Sequence, residues 1–149
     1  LVITCIKKEG LPLIRYRTKD ITRLFYEKCK CGRTFCRMEN LSGRSDDMLK
    51  IRGVNVFPSQ IEEVILGFEE LGPHYEIVLE RDGYLDKLTV NVELATSTDS
   101  FKELEGIAAR VKNKLKIVLG LDARVMLVSP NTLQRFEGKA KRVKDLRSK

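Results

Sequence analysis

Three cysteines close together, in Cys29-Lys-Cys31-Gly-Arg-Thr-Phe-Cys36, are the side chains best suited to hold a metal ion. Thiolates at such spacing, followed by glycine, can form a knuckle around zinc, and a structural Zn²⁺ would staple a loop with little core of its own. The Cys-x-Cys gap is tighter than the usual two-residue spacing, and the fourth ligand would have to be Cys5 or a group outside this stretch. A second concentration of reactive types is Gly43-Arg44-Ser45-Asp46-Asp47, a guanidinium fork and two carboxylates in a segment built to turn. Asp20 closes Tyr16-Arg-Thr-Lys-Asp and carries two oxygens that can accept from two hydroxyls at once, although a strand ending in an aspartate turn has the same sequence. His74, the only histidine, has no nucleophile placed beside it in sequence and reads as a loop or packing residue.

The elements that must position these groups fall into two unequal parts. Residues 1 to about 42 carry short β-like runs, Leu1 to Ile6, Leu13 to Tyr16, Ile21 to Tyr26 and Arg37 to Leu41, with little helix to cover them. Three or four short strands bury only one face, so this piece is expected to belong to a larger structure. From Met48 the periodicities change. Leu49, Ile51, Val54 and Val56 predict a strand or hairpin broken at Gly53, and Pro58-Ser59 opens a helix with Ile61, Val64, Ile65 and Phe68 on one face. Tyr75 to Leu79 and Leu88 to Val92 alternate around Asp82-Gly83 as an antiparallel pair. Leu104 to Val118 repeats at helical spacing and stops near Gly120, and Val125 to Val128 forms a last strand. The fold class is therefore α+β: a β-rich N-terminal segment, then a ferredoxin-like β-α-β-β-α-β domain with both helices on one face.

The run Arg44-Ser-Asp-Asp-Met-Leu-Lys-Ile-Arg-Gly-Val-Asn-Val-Phe-Pro58 resembles the hinge and following loop of adenylate-forming acyl-CoA ligases, and most closely their phenylacetate-activating branch. Leu11-Pro-Leu-Ile-Arg-Tyr-Arg-Thr, Asp20-Ile-Thr-Arg-Leu and Pro73-His-Tyr-Glu-Ile-Val-Leu extend the likeness over nearly the whole chain. The resemblance implies the C-terminal part of an enzyme that activates an aryl acid with ATP and passes it to coenzyme A, Mg²⁺ accompanying ATP. Residues 1–45 would end the large N-terminal domain, and residues 46–149 would be the mobile C-terminal domain. It implies that Asp20 holds the ribose of ATP, that Arg44 contacts the nucleotide, and that Asp46 is the hinge. Gly53 would line the channel for the pantetheine arm of coenzyme A, where a residue without Cβ permits close approach. Lys50 and Arg52 are further candidates for coenzyme A phosphates. Lys139 would be the catalytic lysine of adenylation, its ammonium stabilising charge that crowds the reacting oxygens. Phe136 departs from the small hydroxyl residue the family often has there. The phosphate loop and acyl pocket would belong to the missing N-terminal part, so the chain alone is expected to be inactive.

The formal charge of +7 fits a phosphorylated ligand, nucleic acid or an acidic surface. Residues 137–149 alone hold six basic against two acidic residues, and the default for Lys144 to Lys149 is a solvated tail. No RNP-like motif, helix-turn-helix or zinc-finger histidine spacing accompanies the charge, which argues against a nucleic acid partner. No apolar run approaches the ~20 residues that span a bilayer. With no signal peptide in view, a cytoplasmic setting with reduced cysteines is expected. Unpaired strands in the first part could promote a homodimer. Two other classes remain: a free-standing α+β module binding a small molecule or protein, and a basic RNA-binding module with a zinc knuckle.

Overall fold

The computed structural model describes residues 1–98, 100–135 and 141–147. The chain divides into two compact units, Leu1–Met48 and Leu49–Lys149.

The first unit is made of very short antiparallel pairings. β1 (Val2–Ile3) pairs with β2 (Tyr16–Arg17), β3 (Asp20–Ile21) with β6 (Gly43–Arg44), and β4 (Leu24–Phe25) with β5 (Arg37–Met38). Each strand has only two residues, and β2 is bracketed by Arg15 and Lys19, both with positive φ, which turn the chain on either side of it. No described hydrophobic side chain of this unit is fully buried, and Ile6, Leu11, Ile14, Tyr26 and Phe35 stay exposed. Local turns and backbone bonds, rather than a core, hold it together.

The second unit has a true core. The hairpin β7 (Leu49–Ile51) and β8 (Val54–Val56) leads into α1 (Pro58–Leu66), then β9 (Leu71–Asp82), β10 (Leu85–Leu94), α2 (Phe101–Leu119) and β11 (Arg124–Val128). This is the expected α+β order, with the first β a hairpin outside the main sheet. The sheet has four strands in the order β11-β10-β9-β12, the last being Val143–Asp145. β9 and β10 are antiparallel, and each outer strand runs parallel to its neighbour.

Alternation along the strands decides which face is buried. Tyr75, Ile77 and Leu79 pair with Val92, Val90 and Leu88, and this row meets Ile61 and Ile65 of α1 and Ile107, Val111 and Leu115 of α2. The helices also pack on each other. Pro58 sits at the first turn of α1, where its missing N–H costs nothing, and the Gln60 side chain accepts from the Phe57 N–H at 3.0 Å. Ser100 Oγ accepts from the Glu103 N–H, and Gly120 ends α2 in the left-handed region.

The solvated-tail expectation needs correction. Val143 pairs with Ile77 and packs on the core, Lys144 reaches Glu76 at 2.6 Å, and Arg147 bonds Asp86 and Asp145. Lys144 and Arg147 are thus paired with carboxylates of the sheet, which lets this basic segment serve as an edge strand.

Candidate functional site

Asp20 and Arg44 face each other because β3 and β6 pair with these residues in register. Both the Ser45 N–H and its hydroxyl donate to the Lys19 carbonyl, at 2.8 and 3.1 Å, which draws the turn after β6 onto the turn before β3. A compact charge cluster results. Arg44 Nε and Nη2 donate to the two oxygens of Asp46 at 3.1 and 3.2 Å, and Lys19 Nζ lies 3.1 Å from Asp46 Oδ2. Arg44, and after it Lys19, hold the Asp46 carboxyl well below the ordinary carboxylate range, and Asp46 in turn raises Arg44. Asp20 Oδ1 is 4.0 Å from Arg44 Nε, an electrostatic neighbour rather than a hydrogen bond. Among the described residues Asp20 has no closer side-chain partner, so its oxygens stay available to hydroxyl donors.

Gly53 lies in the second unit, in the two-residue turn of the β7–β8 hairpin, where Ile51 pairs directly with Val54. Arg52 and Gly53 have φ of 49° and 81°, the left-handed pair such a tight turn requires. A Cβ at Gly53 would meet nothing within 4 Å, so positive φ, not crowding, accounts for glycine within this fold. The hairpin is tethered: Arg52 Nε donates to the Asp86 carbonyl at 2.6 Å, and Arg147 Nη1 donates to the Lys50 carbonyl at 2.8 Å. Asp86 carries Arg81 and Arg147 as well; burial works against its charge, and these two guanidiniums outweigh it and lower the carboxyl. Lys50 itself is exposed.

Lys139 lies outside the described residues, but the chain on either side of 136–140 is well anchored. On the near side Arg135 donates through both terminal nitrogens to Glu93, at 3.1 and 2.8 Å, and the Leu133 N–H adds a third bond at 2.8 Å. The Glu93 side chain is only 3% exposed. Burial disfavours its charge, yet Arg135 and the backbone N–H groups hold its carboxyl low. On the far side Arg142 is paired with Glu62, donates to Tyr75 Oη at 3.0 Å, and lies 4.5 Å over the Tyr75 ring. None of these anchors has a short sequence motif. A glutamate on an otherwise apolar stretch, Val92-Glu-Leu-Ala, was the one visible signal.

Cys29 and Cys31 Sγ are 3.1 Å apart across a tight turn in which the Gly32 N–H bonds the Cys29 carbonyl, while Cys36 Sγ is directed to the Arg37 carbonyl. Among the described residues no three His, Cys, Asp or Glu side chains come together to hold an ion. The Cys-x-Cys spacing brings two sulfurs together in its own turn and leaves the third on the outgoing strand. Cys5 and the other cysteines are free thiols. No described helix is long and apolar enough to cross a membrane.

Residues 53–147 match the family described as AMP-binding enzyme C-terminal domain. Phenylacetate-coenzyme A ligase of Escherichia coli (strain K12) is 48% identical over 99% of this chain, which spans 34% of that relative's length. A solved domain of phenylacetate-coenzyme A ligase from Bacteroides vulgatus ATCC 8482 is 41% identical, with a TM-score of 0.64 over 69% of this chain and 95% of that one. A 2-hydroxyisobutyryl-CoA ligase in its postadenylation state, in complex with R3-HIB-AMP, is 34% identical, with a TM-score of 0.83 over 97% of this chain and 31% of that one.

Proposed function

Because the chain belongs to the AMP-binding enzyme C-terminal domain family, we propose that it is the C-terminal part of an ATP-dependent, AMP-forming ligase joining an aryl acid of the phenylacetate kind to coenzyme A. The chain spans about a third of the curated relatives it matches, so the activity is that of the complete enzyme. The observation carrying the proposal is the convergence of Asp20, Arg44 and Asp46, separated in sequence, into one charge cluster within the first unit.

In the first half-reaction the substrate carboxylate attacks the α-phosphorus of ATP, and pyrophosphate leaves. Asp20 accepts from the ribose hydroxyls with its uncommitted oxygens. Arg44, oriented by its two bonds to Asp46, presents its remaining donors to the nucleotide. Lys139 stabilises the charge on the reacting oxygens. In the second half-reaction the coenzyme A thiolate attacks the acyl carbon and AMP leaves with the bonding pair. Asp46 is the pivot that exchanges Lys139 for the Gly53 hairpin, residues 1–45 ending the large domain and 46–149 forming the mobile one. Mg²⁺ would accompany ATP and would supply positive charge to its phosphates. The use of ATP and coenzyme A supports a cytoplasmic setting, and the reaction as proposed involves neither nucleic acid nor membrane.

The test is acid-dependent ATP–pyrophosphate exchange by the complete enzyme, followed by thioester and AMP formation when coenzyme A is added. Exchange with phenylacetate-like acids and stoichiometric AMP support the proposal. A folded, complete protein without exchange on any aryl acid refutes it.

A further inference from the structure

The chain is fixed on both sides of Lys139, and the two fixings lie close together on the central strands. Tyr75 of β9 pairs with Val92 of β10, and Glu93 is the next residue along β10. Arg135 is held at Glu93 and Arg142 at Tyr75. Arg142 is held by main chain and side chain alike. Its carbonyl accepts from the Ile77 N–H at 2.7 Å, where the pairing of β12 with β9 begins. Its guanidinium is paired with Glu62 of α1, donates to Tyr75 Oη at 3.0 Å, and lies 4.5 Å from the centre of the Tyr75 ring. Tyr75 is buried, which raises its phenol above the ordinary value, so the ring stays neutral and its oxygen accepts.

Holding a strand end on the core does not require this cluster. Apolar residues of similar volume would do so without desolvating charge, and a partly buried ion pair offsets little more than its own desolvation. What a guanidinium bound to a carboxylate, a phenol and a ring supplies is direction, because contacts from two separate elements restrict the residue to one placement. That placement matters beyond Arg142. Lys139 is three residues away, within about 10 Å even along a fully extended chain. An ammonium stabilises charge on reacting oxygens only at hydrogen-bond distance, and a misplacement of about 1 Å costs on the order of a hundredfold in rate.

We infer that Glu62, Tyr75 and Arg142 are positioning residues of the adenylation half-reaction: they set where the chain joins the sheet after Lys139, and so where its ammonium meets the α-phosphate oxygens. The inference rests on the ligase reading above. Glu62 and Tyr75 act through Arg142, and Arg142 acts through the chain that joins it to Lys139.

The experiment measures the two half-reactions of the complete ligase separately: acid-dependent ATP–pyrophosphate exchange, and turnover of supplied acyl adenylate with coenzyme A. Arg142→Ala should lower kcat for exchange roughly a hundredfold, leaving KM for ATP and turnover of supplied acyl adenylate near wild type. Arg142→Lys, which keeps a charge opposite Glu62, should recover part of that loss. Glu62→Gln should lower exchange roughly tenfold in the wild-type background and no further in the Arg142→Ala background, the non-additivity expected of a residue acting through another. Ile107→Val, in the core of the same unit but outside this cluster, should leave the ratio of the two rates unchanged. Equal loss of both half-reactions in folded Arg142→Ala, or undiminished exchange, overturns the inference. Should Arg142→Ala fail to fold, Glu62→Gln and Tyr75→Phe decide on the same terms, since each leaves the Arg142 main-chain bond in place. Absence of exchange in the unmutated enzyme would refute the ligase reading, and this inference with it.

Discussion

Arg135→Ala isolates the anchor that precedes residues 136–140. It deletes two of the three hydrogen bonds to Glu93, whose side chain is 3% exposed, and leaves the Leu133 N–H. Removing one partner of a fully buried ion pair costs ~3–5 kcal/mol. Arg135 is 42% exposed, so solvent screening and the surviving backbone bond reduce the loss to about 2 kcal/mol. For a unit of this size that lowers Tm by roughly 10 °C. The loss should also depend on pH. In the intact protein Glu93 is held below its ordinary value, so its stabilisation is present above the unfolded carboxyl pKa, about 4.3, and drains away as pH falls through the folded value. Without Arg135, burial is opposed only by the backbone N–H groups and the Glu93 carboxyl should rise, so that protonation relieves the penalty. Thermal melts of wild type, Arg135→Ala and Glu93→Gln from pH 7 to pH 4 should show the Arg135→Ala deficit shrinking on acidification. Glu93→Gln should flatten the acid dependence. A deficit under 1 °C, or one of constant size across that range, would mean that the pair contributes no electrostatic stabilisation.

Other outcomes follow from the same structure. Gly53→Val should destabilise the hairpin by ~1–3 kcal/mol through positive φ alone, read by urea melts, and in the complete enzyme should slow thioester formation more than adenylation. The 149-residue chain by itself should show no acid-dependent pyrophosphate exchange; robust exchange free of contaminating ligase would contradict the assignment to a C-terminal part. The exposed apolar residues and two-residue strands of Leu1–Met48 should promote self-association, so light scattering at micromolar concentrations should detect dimers, and a strictly monomeric chain would count against this. Asp46→Pro fixes φ near −65° and should impair use of coenzyme A while sparing acyl-adenylate formation, checked by separate half-reaction rates.

The second unit was legible where local periodicity and tertiary packing agree. Ile61, Val64 and Ile65, the alternation of β9 against β10, and the stop at Gly120 all reflect one dominant buried face. The tail was not legible, because six basic residues obscure the single apolar contact of Val143, and its carboxylate partners Glu76 and Asp86 lie far back in the chain. Pro73 within β9 gave no hint of a strand. It is accommodated where the register between β9 and β10 shifts, leaving room for a residue without an N–H. At the candidate site, the turn chemistry of residues 43–47 was visible, whereas the closure of Arg44 and Lys19 on Asp46 depends on long-range pairing of β3 with β6. At the cysteine cluster the spacing brings the sulfurs of Cys29 and Cys31 together, whereas the Cys36 thiol, just before β5, is directed to the Arg37 carbonyl.

The central claim is that one chain serves two half-reactions through different residues, and Lys139→Ala in the complete enzyme tests it most directly. Acyl-adenylate formation and the turnover of supplied acyl adenylate with coenzyme A are measured separately by rapid quench. The first rate should fall by orders of magnitude while the second stays within a fewfold of wild type. Equal loss of both rates in a folded variant would contradict the division of labour between Lys139 and the Gly53 hairpin.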